Sequence, residues 1–425
     1  MSIVERRTSV GAESALRILN SDFTGPVERP YGPDAPYAVA RAVTAADLAV
    51  ALRAAVYTGV PLTVRGAGHG QLRTPVGRIV LDTGHLADVQ VAPDRRTVTV
   101  GPGARWGDVL AAAAPYGLAP LCGNALDVGV TGFTLGGGVG WLSRQYGYTA
   151  DNVVRADGLL ADCTPVALTA SGDPDLFWGL RGAGANLALV HRLEIRLAPV
   201  ATVTAGEIGY PWPCARDVLA AFAAQDPPDH LTAMVVLERA DAAAPPTVTV
   251  QAVSTAAPAA ARRALAAVLP GSRTATRDTV APVPYAQAAT LGGTPPLAFE
   301  LPDRLGAEEI AVLAGAAERG TREEPARIEV RFWGGAPSRT AGGGPAGHRD
   351  APFSVTAAGP PQTLDAVAGL GTGRSFLNFL RDPDRTAQAY TAADHARLRA
   401  LKARVDPANL LGAQHNIAPE GPSYG

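Results

Sequence analysis

Residues 127–152 read DVGVTGFTLGGGVGWLSRQYGYTADN. Seven of these 26 residues are glycine. Glycine takes backbone conformations that other residues avoid, so the stretch predicts tight bends where a ligand meets the main chain. Its uncharged apolar part, 128–142, is shorter than the roughly 20 residues that cross a bilayer. A second glycine loop, Arg65-Gly66-Ala67-Gly68-His69-Gly70, follows the short strand pattern Pro61-Leu62-Thr63-Val64. A third lies at 176–186, where LFWGLRGAGAN leads into LALVHRLEIRL.

Three such loops beside strands predict an anion cradle. Successive free amides hold phosphate oxygens, and Arg65 adds a guanidinium fork that suits them. None has the G-x-G-x-x-G spacing of a nicotinamide-binding Rossmann unit, so two loops flanking one diphosphate is the expected arrangement. His69 stands between Gly68 and Gly70, placed for a cofactor contact, and a neutral imidazole nitrogen is a competent nucleophile.

The flanks carry ordinary element signals. Thr44 and Asp47 form a capping box ahead of a helical face made by Leu48, Leu52, Ala55 and Val56, with Gly59 as the stop. Ile79-Val80-Leu81 and Thr97-Val98-Thr99-Val100 read as buried strands, and 106–116 as a helix. Leu189, Leu193, Ile195 and Leu197 alternate with Arg192, Glu194 and Arg196, the period of a half-buried strand, with His191 on its apolar side. After Pro199 the texture changes. β-branched runs such as Thr247-Val248-Thr249-Val250 alternate with Ala-rich helices such as 259–268. Pro/Gly clusters at 269–271, 293–296 and 342–347 read as loops. Thr391 and Asp394 start a last helix that ends at Asp406-Pro407.

Composition sets the bounds. The chain has 425 residues, 47% hydrophobic and 18% charged, with a net charge of −2. That predicts two or three domains with full cores, and it excludes a disordered chain and a basic nucleic-acid binder. Lys402 is the single lysine; Leu401 precedes it, so no Walker A loop exists. Cys122, Cys163 and Cys214 are too few for a disulfide framework and fit a reducing compartment. Residues 1–15 are charged without an apolar centre, unlike a signal peptide. Seven scattered histidines predict no metal site. The expectation is a cytoplasmic protein with no membrane or nucleic-acid partner.

Taken together, four motifs carry a resemblance. They are R-G-A-G-H at 65–69, the glycine-rich stretch at 128–153, D-L-F-W-G-L-R-G-A-G-A-N-L at 175–187, and D-P-A-N-L-L-x-x-Q-H-N-I-x-P at 406–419. A further piece, G-G-A-P-S-R at 334–339 with His348-Arg349-Asp350-Ala351, supports them. The chain resembles the FAD-linked oxidoreductases of the vanillyl-alcohol-oxidase superfamily, above all their berberine-bridge-enzyme-like branch. The resemblance implies an α+β fold with two parts. A PCMH-type FAD-binding domain is expected from residues 1–200, with 386–425 returning to it. A substrate domain is expected at 201–385, with an antiparallel sheet covered by helices.

Carried over by position, the resemblance implies that Arg65, Gly66, Ala67, Gly68, His69, Gly70 and Gln71 wrap the diphosphate of FAD, with His69 forming an 8α-linkage to the flavin. Gly129, Val130, Thr131, Gly132, Gly136, Gly137 and Gly138 are expected along the diphosphate and ribityl chain. Val190 is expected at the adenine end and Asn416 near the flavin.

Two departures shape the expectation. A cysteine that many relatives link to the flavin is here Ala125, and Cys122 is three residues off register, so one covalent bond is expected, through His69. The family's Y-x-N element is Phe376-Leu377-Asn378, without the tyrosine that often acts as base. Asn378, His348 and Tyr285 are therefore the candidate catalytic residues, with Glu300 a further candidate base. Trp141, Trp178 and Trp333 read as packing residues, with substrate stacking as the alternative; Arg331 and Arg339 read as solvated or ion-paired, with binding of a substrate anion as the alternative. The function implied is an oxidase of a small secondary metabolite, with hydride transfer to the flavin and O2 as acceptor. The alternative left open is a redox-neutral enzyme, such as a cyclase, on the same fold.

Overall fold

The computed structural model describes residues 3–270, 275–292, 295–340, 343–412 and 414–421, with side chains from Gly11 onward. Gly271, residues 293–294 and Gly342 of the expected loops lie outside the described residues.

The first sheet has four strands in the order Val27–Glu28, Ala38–Arg41, Ile79–Asp82, Leu62–Arg65. The last three are mutually parallel, which requires a crossover, and the helix Ala45–Thr58 supplies it. The expected cap is present. Asp47 N donates to Thr44 Oγ1 at 3.3 Å, and Thr44 N donates to Asp47 Oδ2 at 2.9 Å. Gly59 ends the helix at φ +70°, a left-handed conformation that glycine adopts without strain. The helix Ile3–Asp22 has no counterpart among the sequence expectations. Ala15 and Leu19 join the core beneath Leu48 and Leu52; Gly11 and the charged and small polar residues before Leu16 leave little helical signal to read.

The second sheet has five strands, all antiparallel, in the order Val89–Ala92, Thr97–Val100, Leu189–Arg196, Val153–Leu159, Pro165–Leu168. Leu193 and Ile195 are buried and Arg192 and Arg196 exposed, following the alternation; His191 is half-buried. The expected helix at 106–116 is α-helical over Trp106–Ala113 and 3₁₀ over Ala114–Tyr116.

The third sheet is eight-stranded and antiparallel. Its path runs Arg277–Asp278, Thr202–Tyr210, Thr247–Ser254, Leu231–Arg239, Ala326–Phe332, Phe353–Ala358, Ala298–Glu300, with Ala281–Pro284 beside Thr202–Tyr210. Ile328, Val330 and Phe332 point to one face, into a core shared with the helices Ala215–Ala223, Ala307–Ala317 and Pro361–Ala368. Met234 and Val236 point the other way, into the core of the glycine-rich unit. Strand period two thus gives this sheet one face for its own helices and one for the other unit.

Two buried cations fasten the parts. Arg144, from the glycine-rich stretch, donates to the carbonyls of Leu231, Trp333 and Pro227 at 3.1, 2.7 and 2.7 Å. Lys402, on the last helix Ala392–Val405, holds the C-terminal segment. That segment meets the first sheet where Leu411 bridges Leu62. Among the described residues no helix is long and apolar enough to cross a membrane.

Candidate active site

A cavity of about 650 Å³ lies where the first two sheets meet the open face of the third, within the usual range for cofactor and ligand sites. The strand Leu62–Arg65 delivers the first glycine loop, and Arg65, Gly66, Ala67, Gly68, His69, Gly70 and Gln71 all line the cavity. The amides from Gly66 to Gly70 make no hydrogen bond among the described residues. Gly68 turns the loop at φ +88°. Arg65 Nη2 bonds Asp82 Oδ2 at 2.7 Å, so its fork is fixed from behind. His69 Nε2 lies 2.9 Å from Asp127 Oδ2. In the neutral imidazole that contact makes Nε2 the donor and leaves the lone pair on Nδ1.

The second loop faces the first. Gly129, Thr131, Gly132 and Gly136 line the cavity. A Cβ on Gly129 would stand 3.2 Å from Ala67 Cβ, a tight contact, so the missing side chain eases the close approach of the two loops. Thr131 Oγ1 is buried without a hydrogen-bond partner among the described residues. Val130, Gly137 and Gly138 sit behind the wall instead. Val130 is fully buried in the core. Gly137 turns at φ +117°, where a Cβ would meet Phe376 Cζ at 2.6 Å. Val190 lines the far end. Asn416 does not line the cavity, although its neighbours Gln414 and His415 do, and its Oδ1 is buried and unpartnered among the described residues. Free amides, an orphaned hydroxyl and two glycine bends in one trough fit the diphosphate of a dinucleotide.

The candidate catalytic residues divide. Asn378 lines the cavity, but both ends of its amide are engaged: Oδ1 accepts from Gly138 N at 2.9 Å and Nδ2 donates to Phe133 O at 3.0 Å. It positions the glycine turn. His348 and Tyr285 do not line the cavity. His348 Nε2 is 2.8 Å from Gln388 O, and burial lowers its pKa. Tyr285 is buried, donates to Pro120 O at 3.2 Å, and burial raises its pKa well above the phenol range. Glu300 is also off the wall, bonded to Arg385 at 3.4 Å. Phe376 is fully buried, its ring 5.1 Å from Tyr148 and 5.2 Å from Trp333; position 376 belongs to an aromatic core and not to the cavity wall. Ala125 lines the wall, whereas Cys122 is buried with its Sγ 3.7 Å from Tyr285 Oη.

Of the sheet's contribution, sequence reasoning names Arg331 alone and misses Glu329, Ser354 and Thr356. Glu329 and Arg331, on Ala326–Phe332, line the cavity with Ser354 and Thr356 of the next strand. Glu329 Oε1 accepts from Arg327 Nε at 2.9 Å, and Oε2 has no hydrogen-bond partner among the described residues. The signal is the alternation R-I-E-V-R-F at 327–332, polar on one parity and apolar on the other; only the topology says what the polar parity faces. Trp141 and Trp333 reach the wall while remaining 3% exposed, so they pack and line at once. Arg339 pairs with Asp229 as expected. Arg331 is half-buried, feels the charge of Glu329 through space, and has no hydrogen-bonded carboxylate among the described residues.

Residues 36–169 match the family model of an FAD binding domain, and 372–418 match the model described as berberine and berberine like. The (R)-6-hydroxynicotine oxidase of Paenarthrobacter nicotinovorans is 30% identical over 432 residues, covering 91% of this chain and 92% of that protein. The chain belongs to the berberine-bridge-like FAD-linked oxidoreductases. The crystal structure of 6-hydroxy-D-nicotine oxidase from Arthrobacter nicotinovorans matches this oxidoreductase with a TM-score of 0.81 at 26% identity, over 94% of this chain and 98% of that one. Xylooligosaccharide oxidase from Myceliophthora thermophila, at 21% identity, shares the fold with a TM-score of 0.82 over 96% of this chain and 100% of that one. The expected α+β architecture is therefore the observed one, and this berberine-bridge-like chain is an FAD-dependent oxidoreductase.

Proposed function

We propose that this chain oxidises a small organic metabolite with FAD tethered once, through His69, and that O2 is the acceptor. Residues 1–200 and 386–425 form the cofactor unit in this reading, and 201–385 the substrate unit. The observation that carries it is His69 on a cavity wall, its Nε2 held by Asp127 at 2.9 Å and its Nδ1 left as the nucleophilic nitrogen. Alanine at 125 leaves no second nucleophile opposite.

The loop Arg65–Gln71 with Gly129, Thr131 and Gly132 would hold the diphosphate, and Val190 would meet the adenine end. When bound, FAD accepts a hydride equivalent from a C–H bond next to nitrogen or oxygen. The chain supplies position and a proton acceptor. Asn378 fixes the turn at Gly138. Glu329 is the wall carboxylate with a free oxygen, so its Oε2 takes the proton from a substrate N–H or O–H. His415, also on the wall, has a pKa lowered by burial and stays a neutral hydrogen-bonding group.

Acid precipitation tests the tether: yellow colour should stay with the wild-type pellet and pass to the supernatant for His69→Ala. Colour lost from the wild type overturns the covalent bond. Anaerobic mixing with an amine or alcohol substrate should bleach the flavin, and air should restore it. Turnover without bleaching assigns the site to redox-neutral chemistry.

A further inference from the structure

The charges on the cavity face of Ala326–Phe332 are unevenly matched. Arg327 Nη1 bonds Glu238 at 3.0 Å and its Nε bonds Glu329 at 2.9 Å. The other wall carboxylate, Asp127, holds His69. Both acids that line the cavity thus have one oxygen on a neighbour, and Glu329 also acts on Arg331 through space. Arg331 is left over. Its one hydrogen-bonding contact among the described residues is Nη2 to Met234 Sδ at 3.6 Å, a weak acceptor, and its Cζ lies 5.6 Å from the Trp141 ring centroid. A guanidinium carries five N–H donors, and burial lowers the pKa of this one. Arg381 also lines the cavity but is exposed to solvent. Arg331 is therefore the deep cation that lacks an oxygen acceptor.

Its surroundings specify the ligand. Ser354 is its register partner on the next strand, and directly opposed antiparallel residues share a face with Cβ atoms about 4.5–5.5 Å apart. A hydroxyl and a guanidinium therefore converge on one spot of the wall. Around it stand the rings of Trp141, Phe299 and Trp333. Trp141 is held in place by its Nε1–H on Leu291 O at 2.8 Å. We propose that the substrate is a planar aromatic or conjugated acid whose carboxylate docks on Arg331 and Ser354, with its apolar body between those rings. The inference rests on the cavity being the substrate site of the flavin reading. Glu329 acts on Arg331 through space but makes no hydrogen bond to it, so the guanidinium donors of Arg331 stay available to dock the anion.

Benzoate and benzamide, equal in shape and different in charge, test this. With the holoenzyme, binding is followed by the visible flavin spectrum and in parallel by tryptophan fluorescence, which reads Trp141 whether or not flavin is present. Benzoate should bind the wild type at least about tenfold more tightly than benzamide, the scale of a hydrogen bond to a charged group. Arg331→Gln should erase that preference and leave benzamide affinity and flavin content unchanged. Equal affinities in the wild type, or no benzoate binding at millimolar concentration, overturn the proposal. So does a preference that survives in Arg331→Gln, with or without a change in flavin potential. A protein purified without flavin, by contrast, defeats the flavin reading while the fluorescence titration still judges the acid site.

Discussion

Lys402→Met is expected to be the most damaging conservative change outside the cavity. Lys402 and Asp406 are both 0% exposed and meet at 2.6 Å. The ammonium also donates to Asn186 O at 2.7 Å and Leu411 O at 2.9 Å. Asp406 in turn accepts from Leu410 N and Leu411 N, each at 2.8 Å. Burial pulls the lysine pKa below its usual range against the pull of Asp406, so the ions hold each other in place more than they stabilise the fold by their charge. Methionine fills the stem volume but strands a buried carboxylate and two carbonyls, which costs about 3–5 kcal/mol. At about 2–4 °C per kcal/mol for a unit of 150–250 residues, the melting point should fall by about 6–20 °C. The loss should reach the cofactor, because the same segment bonds Leu62 N through Leu410 O at 2.8 Å and carries Gln414 and His415 to the cavity wall. Urea unfolding of wild type, Lys402→Met, Asp406→Asn and the double variant measures it. The double variant should be less destabilised than Lys402→Met, since no stranded charge remains. A loss below about 1 kcal/mol, or a double variant that shows the full sum of the two single losses, would refute the reasoning.

Three further outcomes follow from the same geometry. Glu329→Gln should lower kcat by about 10²–10⁴, the range for a lost general base, with flavin content unchanged; a loss confined to KM would leave Glu329 as a binding group. Burial lowers the pKa of His191, His348, His395 and His415, so the unfolded chain binds protons that the native one refuses. Stability should therefore fall as pH drops below about 6.5, read as the urea midpoint at neutral and mildly acidic pH. A midpoint that rises on acidification contradicts this. Cys122 is 1% exposed and burial pushes its thiol up to about 11; a thiol reagent at neutral pH should leave its peptide unlabelled in the native protein and label it after unfolding.

What was legible in the sequence was local. The loop at 65–71 and the cap at Thr44 are defined by neighbours a few residues apart, and both are found where the residues predict them. The helix Ile3–Asp22 is illegible because Gly11 and charged and small polar residues interrupt its apolar positions. The candidate bases lie off the cavity wall for a different reason. His348 and Tyr285 are chemically able, but what excludes them from the cavity is a carbonyl at 2.8 Å in one case and complete enclosure in the other, and neither leaves a mark on the chain. Phe376 looked like a vacancy for a lost tyrosine. It is instead the packing partner of a glycine whose Cβ would strike it at 2.6 Å, so its aromatic bulk answers to the turn at Gly137.

The eight-stranded sheet explains why the two halves of the site differ in legibility. The cofactor wall is made of backbone, and backbone access demands glycine, which a sequence displays openly. The substrate wall is made of alternate side chains on two adjacent strands, Glu329 and Arg331 opposite Thr356 and Ser354. Their partners in parity, Ile328, Val330 and Phe332, are fixed by the helical core on the other side. Residues on the open parity can therefore exchange charge and shape while the core parity keeps the strand in register. On the proposed reading, substitutions at positions 329, 331, 354 and 356 should change the substrate preference of this chain while its flavin content holds. For the same reason its substrate has to be read from the face those positions share.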